Sequence, residues 1–276
     1  MEVVVVDDGS TDGTREYLEH LDDERVHSIF QEHKGGQHAR NRGLSEAQGE
    51  YVKFLDDDDW LAEGGIQEEV DVLESTGADL GFGYYKRIDE NGTVFCTEEQ
   101  AVPDDLIAKL FTGARFTIPL NVTYRHVFVK GLRWEPSLPC GQDYAFLLEA
   151  ALQDPHFVPT NTLTGYKREH NEGSVSLSAS QKAHPPLIYT RMLRKAAERL
   201  LSFGSLTECR REAICEGLWK WGHAISACSW EEFEKVHSVL QEISYEYQPS
   251  RPNHLLNVLD NIAGPKATER LLRIFR

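Results

Sequence analysis

Two apolar runs that end in carboxylates constrain this chain most: "EVVVVDD" at 2–8 and "YVKFLDDDD" at 51–59. Consecutive β-branched and apolar residues, rather than alternation, suit a strand covered on both faces. "RVHSIFQ" (25–31) reads as another strand. The segments between carry helical patterning. "REYLEHL" follows the turn "GSTDGT", with Thr11 or Asp12 placed to cap it. "KGGQHARNRGLSEAQGE" (34–50) and "GGIQEEVDVLESTG" (64–77) are helical between glycines. Strands alternating with helices over the first 80 residues predict an α/β domain with a mostly parallel sheet flanked by helices.

In open α/β sheets ligands gather at the carboxyl ends of the strands. Asp7-Asp8 and Asp56–Asp59 are therefore expected on one edge of one sheet. Four adjacent carboxylates repel one another, and a hard divalent cation relieves that repulsion. Mg²⁺ characteristically takes one or two carboxylates and leaves the rest of its shell to water and phosphate oxygens. Asp56 and Asp58, two apart on a turning backbone, reach one cation. A solvated acidic loop is the alternative. The apolar residues before the run, and Trp60-Leu61 after it, favour a half-buried position.

Further along, "DLGFGYYKRI" and "DENGTVFC" read as a hairpin turning at Asn91-Gly92. "TYRHVFVKGL" (123–132) is strand-like, and "GQDYAFLLEAALQD" (141–154) is an amphipathic helix. "TLTGYKREHNEGSVSLS" (162–178) is a strand running into a polar loop. Past Pro185-Pro186 the patterning is helical. The expected organisation is an α/β domain over 1–180 and a helical extension over 181–276.

The net charge of −16 argues against nucleic-acid or anionic-membrane binding. No apolar run approaches the roughly 20 residues of a spanning helix. "MEVVVV" is too short, and lacks the basic start, for a signal peptide. Five cysteines without paired spacing suggest reduced thiols and a cytoplasmic setting.

"VVVVDDGSTDGT", then "KGGQHARNRGLSEAQGEYVKFLDDDDWL", closely resembles the GT-A-fold, family 2 glycosyltransferases. Their pattern is a strand ending D-D-G-S-x-D-x-T, then A-R-N-x-G, then G-x-Y-[apolar]-F-L-D-x-D-D. The likeness covers roughly residues 2–178 and is specific over 2–61. It implies an inverting transfer of a sugar from a nucleotide-diphosphate sugar to an acceptor hydroxyl, in surface polysaccharide or glycoconjugate synthesis. Asp8 would read the nucleotide base with Asp7 beside it, and Arg40 would lie near the diphosphate. Asp56 and Asp58 would hold Mg²⁺ or Mn²⁺, with Asp59 sharing because the register of four acids is ambiguous by one. Asp57 is assigned to the nucleotide sugar. The family's catalytic base falls on Asp143 in "PCGQDYAFLLEA", with Gln142 where Glu is common. In "YKREHNEGSVS", His170 would face the diphosphate or metal, and Ser174 and Ser176 would cap a closing loop.

The family pattern has one further βα unit ahead of "VVVVDD", so a form extended upstream is expected to be more stable and to bind nucleotide more tightly. Two other functions stay open, a catalytically degenerate sugar-nucleotide binder or scaffold and a nucleotidyltransferase. The second wants a Gly-rich loop with a basic residue after its first strand, which is not visible. The acceptor is a carbohydrate or a lipid-linked species. The apolar positions of the tail ("LIYTRMLRKAAERLL") read as core, and acceptor binding, homodimerisation and peripheral association with the inner membrane face are the alternatives for its role.

Overall fold

The computed structural model describes residues 1–99, 101–113, 118–169, 184–204, 206–250 and 254–274. The chain divides into two compact units, 1–102 with 116–178, and 103–115 with 179–276.

The first unit begins with β1 (Val3–Asp7), α1 (Thr14–Glu19) and β2 (Val26–Phe30). β1 and β2 pair in parallel, Val3 opposite Val26 through Asp7 opposite Phe30. Gly13, at φ 93°, occupies the N-cap position of α1. The Asp12 carboxylate accepts from Thr14 N at 3.1 Å and Thr14 Oγ1 at 2.7 Å. α2 (Gly36–Glu46) leads to β3 (Tyr51–Lys53), the acidic turn and the two-residue β4 (Trp60–Leu61). α3 (Gly65–Thr76) follows, then the hairpin of β5 (Leu80–Ile88) and β6 (Val94–Glu98). Gly92 takes φ 82° in that turn, and Asp89 Oδ1 accepts from the amides of Asn91 and Thr93. β7 (Val122–Arg125), α5 (His126–Val129), α6 (Gln142–Ala151) and β8 (Phe157–Arg168) complete the unit.

The α/β architecture holds, with two changes to the expected sheet. β3, β7, β5, β8 and β4 lie side by side with β6 on β5, while β1 and β2 form a sheet of their own. The pairing is also mixed. β5–β8 and β1–β2 are parallel, whereas β3–β7, β5–β7, β4–β8 and β5–β6 are antiparallel. The physical cause is β7, which inserts between β3 and β5 against the direction of both, leaving β3, β5 and β8 running the same way. The segment read as one strand over 123–132 is β7 turning into α5 after Arg125. The valines of β1 are also less covered than a two-faced strand requires. Val3 is 42% exposed and Val4–Val6 are half-buried. Glu2 Oε1 ties the start of β1 to the approach to β3 through the amides of Gln48 and Gly49, both at 2.7 Å.

Beneath β3 lies a buried ion pair that the sequence pattern does not announce. Lys53 Nζ donates to Glu69 of α3 at 2.8 and 3.1 Å and to Thr123 Oγ1 of β7 at 3.1 Å. Thr123 Oγ1 in turn donates to Glu69 Oε2 at 3.0 Å. Burial pulls the Lys53 ammonium below its ordinary pKa, against the opposing pull of Glu69. The network joins β3, β7 and α3 three residues ahead of Asp56.

The second unit is helical: α4 (Leu106–Phe111), α7 (Pro185–Phe203), α8 (Glu208–Ile225), α9 (Trp230–Ile243), α10 (His254–Ala263) and α11 (Pro265–Ile274). α4 packs so closely on α8 that a Cβ on Gly217 would lie 2.1 Å from Phe111 O. Only glycine permits that approach. Arg210 of α8 holds Asp105, the N-cap of α4, at 2.6 Å. No described helix is long and apolar enough to cross a membrane.

Candidate functional site

After β3 the chain turns sharply, with Asp59 N donating to Asp56 O at 3.1 Å. This turn gathers one carboxylate oxygen each from Asp56, Asp58 and Asp59 within 4.8 Å of one another. Asp57 is exposed and lies outside this group. Three hard oxygen donors at that spacing fit a small divalent cation, whose ligands stand 2.0–2.1 Å from the metal.

Two cationic elements flank the turn. Arg40 Nη2 of α2 donates to Asp56 Oδ1 at 2.5 Å, and its guanidinium lies over the Trp134 ring at 4.8 Å. From the other side, Arg168 N at the end of β8 donates to Asp59 Oδ1 at 3.1 Å. The Arg168 side chain stacks on Trp60, 4.6 Å from the ring centre, and Trp60 is 46% exposed. Burial foremost pushes the Asp59 carboxyl up to about 6. The charges of Asp56 and Asp58 add to this, against the Lys167 charge and the Arg168 amide.

A carboxyl whose folded-state pKa is raised contributes stability that is complete below its ordinary value of 3.8 and is lost as pH rises through about 6. In metal-free buffer, wild type is therefore expected to lose melting temperature relative to Asp59→Asn between about pH 4 and pH 7. Paired melts in a chelator check this. A difference that does not change with pH would contradict it.

The first acidic pair is used differently. Asp7 is buried and closes its own turn by accepting from Ser10 N at 3.1 Å. The Asp8 carboxylate accepts from Gln31 Nε2 at 2.6 Å, Lys34 N at 2.9 Å and Gly35 N at 2.7 Å, with His33 Nδ1 at 3.0 Å. Burial works to raise its pKa, but these donors outweigh it and hold the carboxyl below its usual value. Asp8 thus braces the approach to α2, the helix that carries Arg40 to Asp56. Asn41, the next residue, clamps the Trp134 backbone with two bonds of 2.8 Å. α2 is in effect a strut between the two acidic strand ends.

Asp143 sits half-buried in the first turn of α6, outside the three-carboxylate group. Its connection to the acidic turn is an aromatic cluster. Phe54 meets Trp134 at 4.9 Å, Phe146 at 5.4 Å and Tyr124 at 6.1 Å, and Trp134 stacks on Phe146 at 4.6 Å. Phe54 lies two residues before Asp56, and Phe146 one helical turn after Asp143. Burial and then the Asp143 charge push the Tyr124 phenol upward. His170, Ser174 and Ser176 lie outside the described residues.

Arg168, Lys167 and Trp134 join the site without having been singled out in the sequence. The signal for the first two was present in "YKREH", where Lys167 and Arg168 stand three and two positions ahead of the histidine that drew attention.

Residues 1–135 match the family described as Glycosyl transferase family 2. Among curated relatives, "Glycosyltransferase GlyG" of Streptococcus pneumoniae is 36% identical over 135 residues, 43% of this chain and 45% of that protein. "Putative teichuronic acid biosynthesis glycosyltransferase TuaG" of Bacillus subtilis is 37% identical over 95 residues, 33% of this chain and 38% of that protein. "Succinoglycan biosynthesis protein ExoO" of Rhizobium meliloti is 28% identical over 189 residues, 64% and 54% of the two chains. The matches to GlyG and TuaG thus span less than half of those proteins. Among solved structures, S. aureus TarS 1-349 in complex with UDP-GlcNAc superposes with TM-score 0.60 at 19% identity. The match covers 100% of this chain and 83% of that one, a likeness of fold. The α/β, GT-A expectation agrees with it, and residues 1–135, just under half of the chain, carry the likeness to glycosyl transferase family 2.

Proposed function

We propose that this chain is an inverting, divalent-cation-dependent glycosyltransferase. It would move a sugar from a nucleotide-diphosphate donor to an acceptor hydroxyl in the assembly of a polysaccharide or glycoconjugate. The observation that carries this reading is the convergence of Asp56, Asp58 and Asp59 on one turn, flanked by Arg40 and by Lys167 and Arg168. The named relatives in teichuronic acid and succinoglycan biosynthesis support the polysaccharide setting.

Asp56 and Asp58, with Asp59, would hold Mg²⁺ or Mn²⁺. When bound, the cation supplies neutralisation of charge on the leaving diphosphate. Lys167 and Arg168 add positive charge beside the same oxygens. Arg40 keeps Asp56 in place, and Asp7 and Asp8 hold the loop that forms the nucleotide side of the site. Asp57, exposed at the turn, is assigned to the sugar. Asp143 accepts the proton of the acceptor hydroxyl as its oxygen bonds to the anomeric carbon and the carbon–diphosphate bond breaks. A single displacement inverts the anomeric centre, with no enzyme nucleophile.

Asp58→Asn is expected to weaken Mn²⁺ binding by on the order of 10–100-fold, since even outer-shell losses reach that size. Calorimetric titration with Mn²⁺ alone reads this directly. Unchanged Mn²⁺ affinity would place the cation elsewhere or remove it from the account.

A further inference from the structure

The last two described helices carry a surface that transfer chemistry does not use. Along one face of α10, Leu255, Val258 and Ile262 follow each other at spacings of three and four, and Leu255 and Ile262 are 63% and 78% exposed. Leu271 of the adjoining α11 is also exposed. Soluble surfaces seldom leave such a stripe uncovered without a use for it.

The charges around the stripe are sorted. Among the described residues 254–274 the acids are Asp260 and Glu269, and both are buried. Glu269 is held inside by His223 Nδ1 at 2.7 Å and Ser226 Oγ at 3.0 Å. The basic residues stay outside. Arg270 and Arg273 are exposed, and Lys266 is half-exposed. Lys266 meets Glu234 of α9 at 3.0 Å, an acid that the Arg270 charge also reaches, and Arg273 lies 5.6 Å over the Trp230 ring. The surface charge of the two helices is therefore basic.

The whole-chain charge of −16, which argued against an anionic surface, hides this division. The first unit has thirteen Lys and Arg against thirty-two Asp and Glu, and the second has sixteen against thirteen. Salt limits the reach of each charge to about 8 Å, so the local balance decides what a surface attracts.

An amphipathic helix with apolar residues on one face and Lys or Arg beside them lies in the plane of a bilayer interface. Each basic residue near an anionic surface strengthens that binding. We propose that α10 and α11 dock this chain on an anionic lipid bilayer. Leu255, Val258, Ile262 and Leu271 enter the headgroup boundary, and Arg270 and Arg273 meet lipid phosphates. This is independent of the transfer reaction.

Co-sedimentation of the full chain with vesicles tests it. Binding is expected to phosphatidylcholine vesicles containing about 30% phosphatidylglycerol, and at least about tenfold less to phosphatidylcholine alone. Ile262→Asp should lower binding to the anionic vesicles about tenfold, and Arg270→Glu should lower it and weaken its salt dependence. Both positions are exposed, so melting temperatures should stay close to wild type. Absence of binding to the anionic vesicles, or binding unchanged in both variants, overturns the proposal. So does a concentration-dependent dimer abolished by Ile262→Asp without vesicle binding, which would make the face a contact between two copies.

Discussion

Asp143→Asn is expected to lower sugar transfer by about 10²–10⁴-fold, the usual contribution of a general base, while donor affinity stays within about twofold. Asn keeps the shape of the side chain and its place in the first turn of α6, so the aromatic packing of Phe146 on Trp134 and Phe54 should survive. What disappears is a group able to take the acceptor proton. That loss belongs to turnover, because the donor does not depend on the base for its binding. Steady-state kinetics with a nucleotide-sugar donor, alongside a separate binding titration, separates the two quantities. If the variant transfers at a near-normal rate, the base lies elsewhere, and Glu149 and Asp154 are the next acids to replace.

Lys53→Ala is expected to destabilise the protein by about 3–5 kcal/mol, because it strands the Glu69 carboxylate without its cation in the interior. The side chains of Lys53 and Glu69 are 8% and 0% exposed, so water cannot replace the lost partner. The double variant Lys53→Met/Glu69→Leu should recover most of the loss, since replacing a buried ion pair by apolar residues is often neutral. Denaturant unfolding of the three variants reads both effects. A loss below about 1 kcal/mol in the single variant would mean that the pair contributes little, as surface pairs do. The acidic turn follows three residues after Lys53, so the single variant is also expected to loosen cation binding.

How much of this was legible depended on whether the cause was local. The sequence placed β1, β2 and β3 because each is a short apolar run bounded by turn residues. It placed the β5–β6 hairpin because Asn91-Gly92 favours a tight turn. β4 was missed because two residues, Trp60 and Leu61, carry no periodicity, and their strand character comes only from pairing with Tyr166 and Gly165. β8 starts at Phe157, earlier than expected, because Pro159 and the left-handed Asn161 (φ 56°) disguise its first half as a loop. The antiparallel insertion of β7 was invisible for a different reason. Pairing direction joins residues far apart in sequence, and "TYRHVFVKGL" is rich enough in β-formers to mask the break after Arg125.

The same division holds in the site. Asp56, Asp58 and Asp59 were readable because they are adjacent in the chain. The bonds that brace them are not, since Arg40 reaches Asp56 across 16 positions and Arg168 reaches Asp59 across 109. Asp8 shows the same limit, since its described partners all come from the loop at 31–35. Sequence showed a carboxylate at a strand end, but not which donors would fold back onto it.

The central claim is that the turn at Asp56–Asp59 joins a divalent cation to a nucleotide diphosphate. Calorimetric titration of UDP and GDP into the wild-type protein, in Mn²⁺ and then in chelator, tests it most directly. The account predicts saturable binding of at least one diphosphate in Mn²⁺, and affinity lower by on the order of 100-fold or more without the metal, because phosphate then meets the Asp56, Asp58 and Asp59 carboxylates with no cation between them. Equal affinity in Mn²⁺ and in chelator would contradict it.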